Sequence, residues 1–171
     1  MTSFDDMPKI DPDEVLVTVH ASSGRRFLGI LSLGILGVML IYIAVAQSPA
    51  IEWRVFLLVL GVASLLMVDK MRRSTASRLE LTETELRDSD GTVIALVADI
   101  EGMDRGFFAF KPSNGFLLRT SEKAPNSWRP GMWWRVGHRI GVGGMAVAHQ
   151  TKMMSEIIAV IMVKREMDIK R

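Results

Sequence analysis

The sequence predicts a membrane-anchored α+β protein: a two-helix transmembrane hairpin followed by an antiparallel β domain with a C-terminal helix. Three observations predict it. Phe27–Ala46 (FLGILSLGILGVMLIYIAVA) is twenty residues without a charge, and at about 1.5 Å per residue it covers the roughly 30 Å of a bilayer's hydrocarbon core. A second apolar block, Val55–Val68, follows almost at once. From Ser74 onward, short segments alternate apolar and polar residues between turn signals, until a helical pattern takes over near the end.

Composition bounds the function classes. At 171 residues the chain holds one modest domain plus its anchor. The formal net charge of +2 divides into −2 over residues 1–26, +2 over 27–73 and +2 over 74–171. No segment is basic enough to follow a phosphate backbone, so no nucleic-acid partner is expected. The chain has no cysteine, which excludes disulfides, thiol catalysis and cysteine-ligated zinc.

Taken in order, residues 1–24 read as an acidic N-terminal tail. Residues 1–14 (MTSFDDMPKIDPDE) carry the acidity and two prolines. Val15–His20 (VLVTVH) alternates and suits a short strand added to the edge of the later domain. Residues 25–73 form the hairpin, with spans at about 27–46 and 51–68. Arg25-Arg26 and the Ala44-Val45-Ala46 pattern resemble a cleaved signal peptide, but the apolar run exceeds the usual 7–15 residues and a second block follows. Gln47-Ser48-Pro49-Ala50 is the turn, because Pro49 opposes helix continuation. Val55–Val68 alone is short enough for a core helix. Extended back through Ile51, Trp53 and Arg54 it reaches span length, with Arg54 snorkelling outward.

The flanks set topology. Arg25 and Arg26 precede the hairpin, and Lys70, Arg72 and Arg73 follow it, so both termini are expected in the cytoplasm. Tyr42 and Trp53 are the interface anchors of the opposite face. Gly34, Gly37 and Ala44 share one stripe of the first helix, and Gly61 and Ser64 share one of the second. Such small residues pack either within the hairpin or against a partner's helix. Neither apolar core holds an ionisable residue, which argues for an anchor rather than a transport path.

Residues 74–171 are the β domain. Arg78–Leu86 (RLELTETEL) reads as its first strand, Asp88-Ser89-Asp90-Gly91 as a turn and Thr92–Val97 as the return strand. Gly106–Phe110, the turn Pro112-Ser113-Asn114-Gly115 and Phe116–Thr120 make a second hairpin. Ser121–Gly131 reads as a long polar loop, and Met132–Arg135 and Gly137–Val142 as two more strands. After Gly143-Gly144, Ala146–Arg165 reads as an amphipathic helix with Val147, Met154, Ile157, Ile158, Ile161 and Met162 on one side. About six strands and one helix are therefore expected.

The opening strand LELTETEL, the D-I-E segment Asp99–Glu101 after the second strand and the closing helix 146–165 together resemble the bacterial pleckstrin-homology-like domains that stand beside membrane hairpins in small inner-membrane proteins. The resemblance covers about residues 75–165 and rests on pattern. It implies a bent sheet plugged by the helix, a bacterial inner-membrane location and a role in binding or assembly; it supplies no functional residues.

Candidate sites are few. Trp128, Arg129, Trp133, Trp134, Arg135, His138 and Arg139 form a dense aromatic and basic cluster, suited to anionic headgroups or a partner protein. Adjacent strand residues point to opposite faces, so one of Trp133 and Trp134 packs inside while the other shields the sheet. Gly141, Gly143 and Ala146 match G-x-G-x-x-A, but no second strand follows to complete a dinucleotide unit, and a plain glycine corner is the simpler account. Ile157–Val163 is apolar all round, so the domain and membrane, or a partner, must cover both its faces. His20, His138 and His149 lack ligand spacing. Asp99, Glu101 and Asp104 suit solvated turn carboxylates better than a cation site. No catalytic residue, cofactor or metal is expected. The expected role is non-enzymatic, a scaffold, assembly factor or accessory subunit of a membrane complex, with a membrane-protein partner or a second copy. Anionic-lipid sensing is the alternative, and a nucleotide-binding enzyme the more distant one.

Overall fold

Two long apolar helices, α1 (Ser23–Ala46) and α2 (Ile51–Ser74), lead into two antiparallel sheets and a final helix, α3 (Ala148–Ile169). The structure is a computed structural model and describes residues 13–47, 49–104 and 112–169. Pro49, which has no backbone N–H to donate, stands in the break between α1 and α2. The helices run antiparallel and meet at glycine. A Cβ on Gly61 would lie 2.7 Å from Ile41 Cγ1 and 3.0 Å from the Gly37 carbonyl oxygen. Gly37, Ala44, Gly61 and Ser64 are buried in this crossing, which resolves the small-residue stripe as packing within the hairpin. Gly34 is the exception, since a Cβ there would meet nothing within 4 Å. Both helices are longer than the expected spans and carry the basic flanks in their own end turns. Arg25 and Arg26 open α1, while Lys70, Arg72 and Arg73 close α2, with Asp69 2.8 Å from Arg73 and 3.6 Å from Arg72.

The first sheet has the order β1 (Val17–Val19), β2 (Leu79–Leu81), β3 (Glu85–Asp88), β4 (Val93–Leu96). The N-terminal segment thus supplies an edge strand, with Val17 opposite Leu81 and Val19 opposite Leu79. Arg78–Leu86 is not one strand but a tight hairpin. Thr82 Oγ1 accepts the backbone N–H of Glu85 at 3.1 Å and of Thr84 at 3.3 Å, and the Thr82 N–H donates to the Glu85 carbonyl at 2.9 Å. A side chain that satisfies the backbone locally in this way competes with strand continuation.

A 3₁₀ turn, Val97–Asp99, carries the chain into the second sheet, of order β5 (Ile100–Asp104), β6 (Phe116–Thr120), β9 (Arg139–Val142), β8 (Trp133–Val136), β7 (Ser127–Arg129). The strand expected over 106–110 lies outside the described residues. Among the described residues it is β5 that pairs with β6, with Met103 opposite Leu118. The expected polar loop 121–131 contains a strand, β7, so the described strands number nine rather than about six.

One buried cluster draws on both sheets and on α3. It joins Leu79, Leu81, Leu86 and Ile94 to Ile100, Phe116, Leu118, Trp133 and Ile140, and is covered by Met154 and Ile158. The helix begins two residues later than expected, because Ala146 is held in a β-bridge to Ala21. Near its far end, Arg165 donates to the carbonyls of Val97 (3.1 Å), Ala98 and Ile100 (2.7 Å), pinning α3 to the junction between the sheets.

The helical pair and the domain share a packed joint. The Ser22 N–H donates to the Met145 carbonyl (2.7 Å), and the Ser74 hydroxyl to that of Pro130 (2.7 Å). The Met145 side chain fills the space beside Gly29 and Met71.

Candidate functional site

Strand alternation divides the tryptophan–arginine cluster into two sets. The inner face of the five-stranded sheet buries Phe116, Leu118, Trp133, Ile140 and Val142. Trp133, 1 % exposed, donates its indole N–H to Asp88 Oδ2 at 3.3 Å. Its neighbours in phase also turn inward. Arg135 donates to the carbonyls of Ile94 (2.6 Å) and Pro125 (3.1 Å), which ties β8 to β4 of the other sheet. Arg129 pairs with Asp90 and stands 4.0 Å from Asp88 Oδ2. The Asp90 carboxyl is held below its ordinary range, first by its hydrogen bond with Thr92 and further by the Arg129 charge. Arg129 and Arg135 are therefore structural ties between the two sheets. His138 sits in the β8–β9 turn, where Nδ1 donates to the Thr120 carbonyl at 2.9 Å.

The outer face carries the second set. Register places Trp128, Trp134, Gly141 and Leu117 in one row across β7, β8, β9 and β6, and Val136, Arg139 and Arg119 in the next. Gly141 is needed under Trp134, because any Cβ there would run into the indole ring. The ring therefore lies over bare backbone. Trp128 is 49 % exposed, and the Lys70 ammonium sits 4.7 Å from its ring centroid, a cation–π contact between α2 and the sheet edge. Depressions of about 600 and 450 Å³ flank Trp134 and share both Trp134 and Arg139 as walls. Arg119 and Arg139 are directly opposed on β6 and β9. Like charges in register repel. Glu101, 3.9 Å from Arg119, offsets one of them, while Arg139 has no carboxylate partner among the described residues.

The structure thus brings Trp128, Trp134 and Arg139 to one surface and turns Trp133 and Arg129 away from it, while Arg135, tied to the Ile94 and Pro125 carbonyls, also lines the 600 Å³ depression. Sequence reasoning missed Arg119, Leu117 and Val136 as members, and it placed Lys70 only as a membrane flank. The β8–β9 hairpin register held the signal, since pairing Val136 with Arg139 also pairs Trp134 with Gly141.

The glycine corner has no room for a pyrophosphate. Gly143, at φ +134°, packs on Gly115 and the Ser113 carbonyl, and Gly144 on Gly131, so the chain's own backbone occupies the close approach those glycines permit. Among the described residues, no three histidine, aspartate or glutamate side chains form a metal-binding group. No family model, curated protein or solved structure matches this chain.

Proposed function

We propose that this chain is a non-enzymatic integral membrane protein acting as a scaffold, assembly factor or accessory subunit of a larger membrane complex. In this reading α1 and α2 cross a bacterial inner membrane as a hairpin, both termini are cytoplasmic, and the two-sheet domain with its closing helix follows the pleckstrin-homology-like plan. The surface the helices leave supports insertion. Only 11 % of each apolar window is buried, whereas the core helix of a soluble domain would be mostly covered. The flanks support the orientation, with Arg25, Arg26, Lys70, Arg72 and Arg73 at one end of the pair and the exposed Tyr42 and Trp53 at the other.

The observation that carries the assembly role is the outward side of α3. Met154 and Ile158 are buried on one side, as expected, but the domain does not cover the other. Met153, Val160, Val163 and Met167 are all exposed there, Val160 by 67 %. Their spacing of seven, three and four residues sets them in one stripe. An apolar stripe backed by a packed helix is what a partner helix or a second copy reads.

Affinity purification of the full chain in mild detergent tests the proposal, comparing wild type with Val160→Asp/Val163→Asp. A stoichiometric membrane protein or a second copy retained by wild type and lost by the variant is the expected result. Monodisperse, partner-free wild-type chain overturns it. Periplasmic activity of a reporter fused after Arg171 would overturn the orientation.

A further inference from the structure

We infer that the outward side of α3 is read by a second copy of this chain, with its α3 laid antiparallel across a two-fold axis at Val160. This rests on the assembly reading and names the occupant. Spacing argues first. Met153 and Met167 stand seven residues before and seven after Val160, and all three are exposed. Seven residues are close to two helical turns, so the three share one face over about 21 Å. Reversing the helix about Val160 sets Met153 opposite the partner's Met167, and Val163 opposite the partner's Ile157, which is half-buried in its own domain. A surface on which one residue meets a second, and the second meets the first, is the isologous contact that closes a dimer.

Charge argues second. Glu156 and Lys164 stand four residues before and four after Val160, both exposed, one on each flank of the stripe. Antiparallel pairing brings Glu156 to the partner's Lys164 twice, once at each end of the contact. Within its own chain Glu156 has Lys152 at 4.0 Å and is still 54 % exposed. A parallel pair would set Glu156 against Glu156 and Lys164 against Lys164, and like charges repel. An unrelated helix has no need of a stripe that reads the same in reverse, with opposite charges at equal distances from its centre. Both copies enter the membrane the same way, so the two-fold runs along its normal and the paired helices lie parallel to its surface. The anchors hold the copies at a raised effective concentration, which lets a contact of this length suffice.

The chain has no cysteine, so introduced ones report the pairing directly. Full-length single-cysteine variants are oxidised in their membranes. Val160→Cys should link to itself, because helices packed about 8–10 Å apart bring facing Cα atoms within disulfide reach. Met153→Cys and Met167→Cys should link to each other when co-expressed, and neither should link to itself. In mild detergent, Glu156→Lys or Lys164→Glu should weaken the dimer roughly ten-fold, and the double exchange Glu156→Lys/Lys164→Glu should restore it. Restoration by the double exchange also shows that the single variants fold. A self-link of Met153→Cys, or a double exchange as weak as the single ones, overturns the pairing. So does an unlinked Val160→Cys beside a different protein retained in stoichiometric amount, which leaves the assembly reading standing. Wild-type chain that is monomeric and partner-free overturns both.

Discussion

The indole N–H of Trp133 meets Oδ2 of Asp88 at 3.3 Å, joining the second sheet to the end of β3 in the first. Both side chains are buried, and Asp88 Oδ1 has no hydrogen-bond partner among the described residues. Trp133 is therefore the closest donor to this carboxylate, with Arg129 farther off at 4.0 Å. Trp133→Phe removes the donor, opens space in the core and leaves a buried charge almost unsolvated. A loss of about 2–4 kcal/mol is expected. Asp88→Asn keeps an acceptor for the indole and discards the charge, so it should cost less. Denaturant unfolding followed by far-ultraviolet circular dichroism ranks the two. The reverse order would show that the carboxylate, and not the indole, holds the sheets together.

That contact also marks how far the sequence could be read. The hairpin was legible because twenty residues without charge have few other uses, and the opposite fates of Trp133 and Trp134 follow from strand alternation. The roles of Arg129 and Arg135 were not legible. Both look like surface cations, yet their partners Asp88, Asp90 and Ile94 lie about forty residues earlier, and only the packing of one sheet on the other unites them. The β2–β3 hairpin was hidden for a local reason. Thr82-Glu83-Thr84 continues a strand-like alternation, and the turn comes from one threonine hydroxyl turned back on the main chain. The only trace was a slip in phase, with Leu79 and Leu81 at odd positions and Leu86 at an even one, all three buried. Strand β7 is three residues between Pro125 and Pro130, too short for periodicity to register.

The glycine crossing separates two substitutions that look alike on paper. Gly61→Ala puts a methyl group 3.0 Å from the backbone oxygen of Gly37, which cannot swing aside as a side chain would, so the helices must part. A cost of about 1–3 kcal/mol is expected. Gly34→Ala meets open space and should be neutral or stabilising by up to about 1 kcal/mol through helix propensity. Thermal unfolding of both variants in micelles should lower the midpoint for Gly61→Ala and leave it unchanged or raise it for Gly34→Ala. Equal shifts would show that the helices do not depend on close approach at Gly61.

Asp90 gives a pH dependence with a defined sign. Its carboxyl titrates lower in the folded chain than when unfolded, chiefly through the hydrogen bond with Thr92 and then the charge of Arg129, while burial opposes the shift. The folded state thus binds the proton less readily. The stabilisation is complete above the unfolded value and is lost as pH falls through the folded one. Asp90→Asn abolishes this component. Its stability deficit relative to wild type should be greatest near neutrality and shrink below about pH 4. The carboxylate is 40 % exposed, so added salt should narrow the neutral-pH gap. A deficit that does not change with pH would assign the effect of the substitution to the turn rather than the charge.

Arg25 ties α1 to the domain. Its Nη1 donates to the Gly144 carbonyl at 3.1 Å. With the Asn114 amide turned so that its oxygen faces the guanidinium, that oxygen also accepts from Nη2 at 2.8 Å. The first turn of α1 is thereby tied to the glycine corner and to the 112–115 turn, which are themselves joined by the Gly144 N–H to the Ser113 carbonyl at 2.6 Å. Arg25→Lys keeps the positive charge, but a single ammonium lacks the fork to hold both oxygens. Amide exchange at residues 113–115 and 143–145 should quicken, with protection lowered by about 1–2 kcal/mol. Arg26→Lys is the control, because among the described residues the Arg26 side chain makes only a 3.5 Å contact, with the Arg72 carbonyl, and it should leave exchange unaltered. If the two variants behave alike, Arg25 acts through its charge alone and the rigidity of the joint rests on Met145, Ser22 and Ser74.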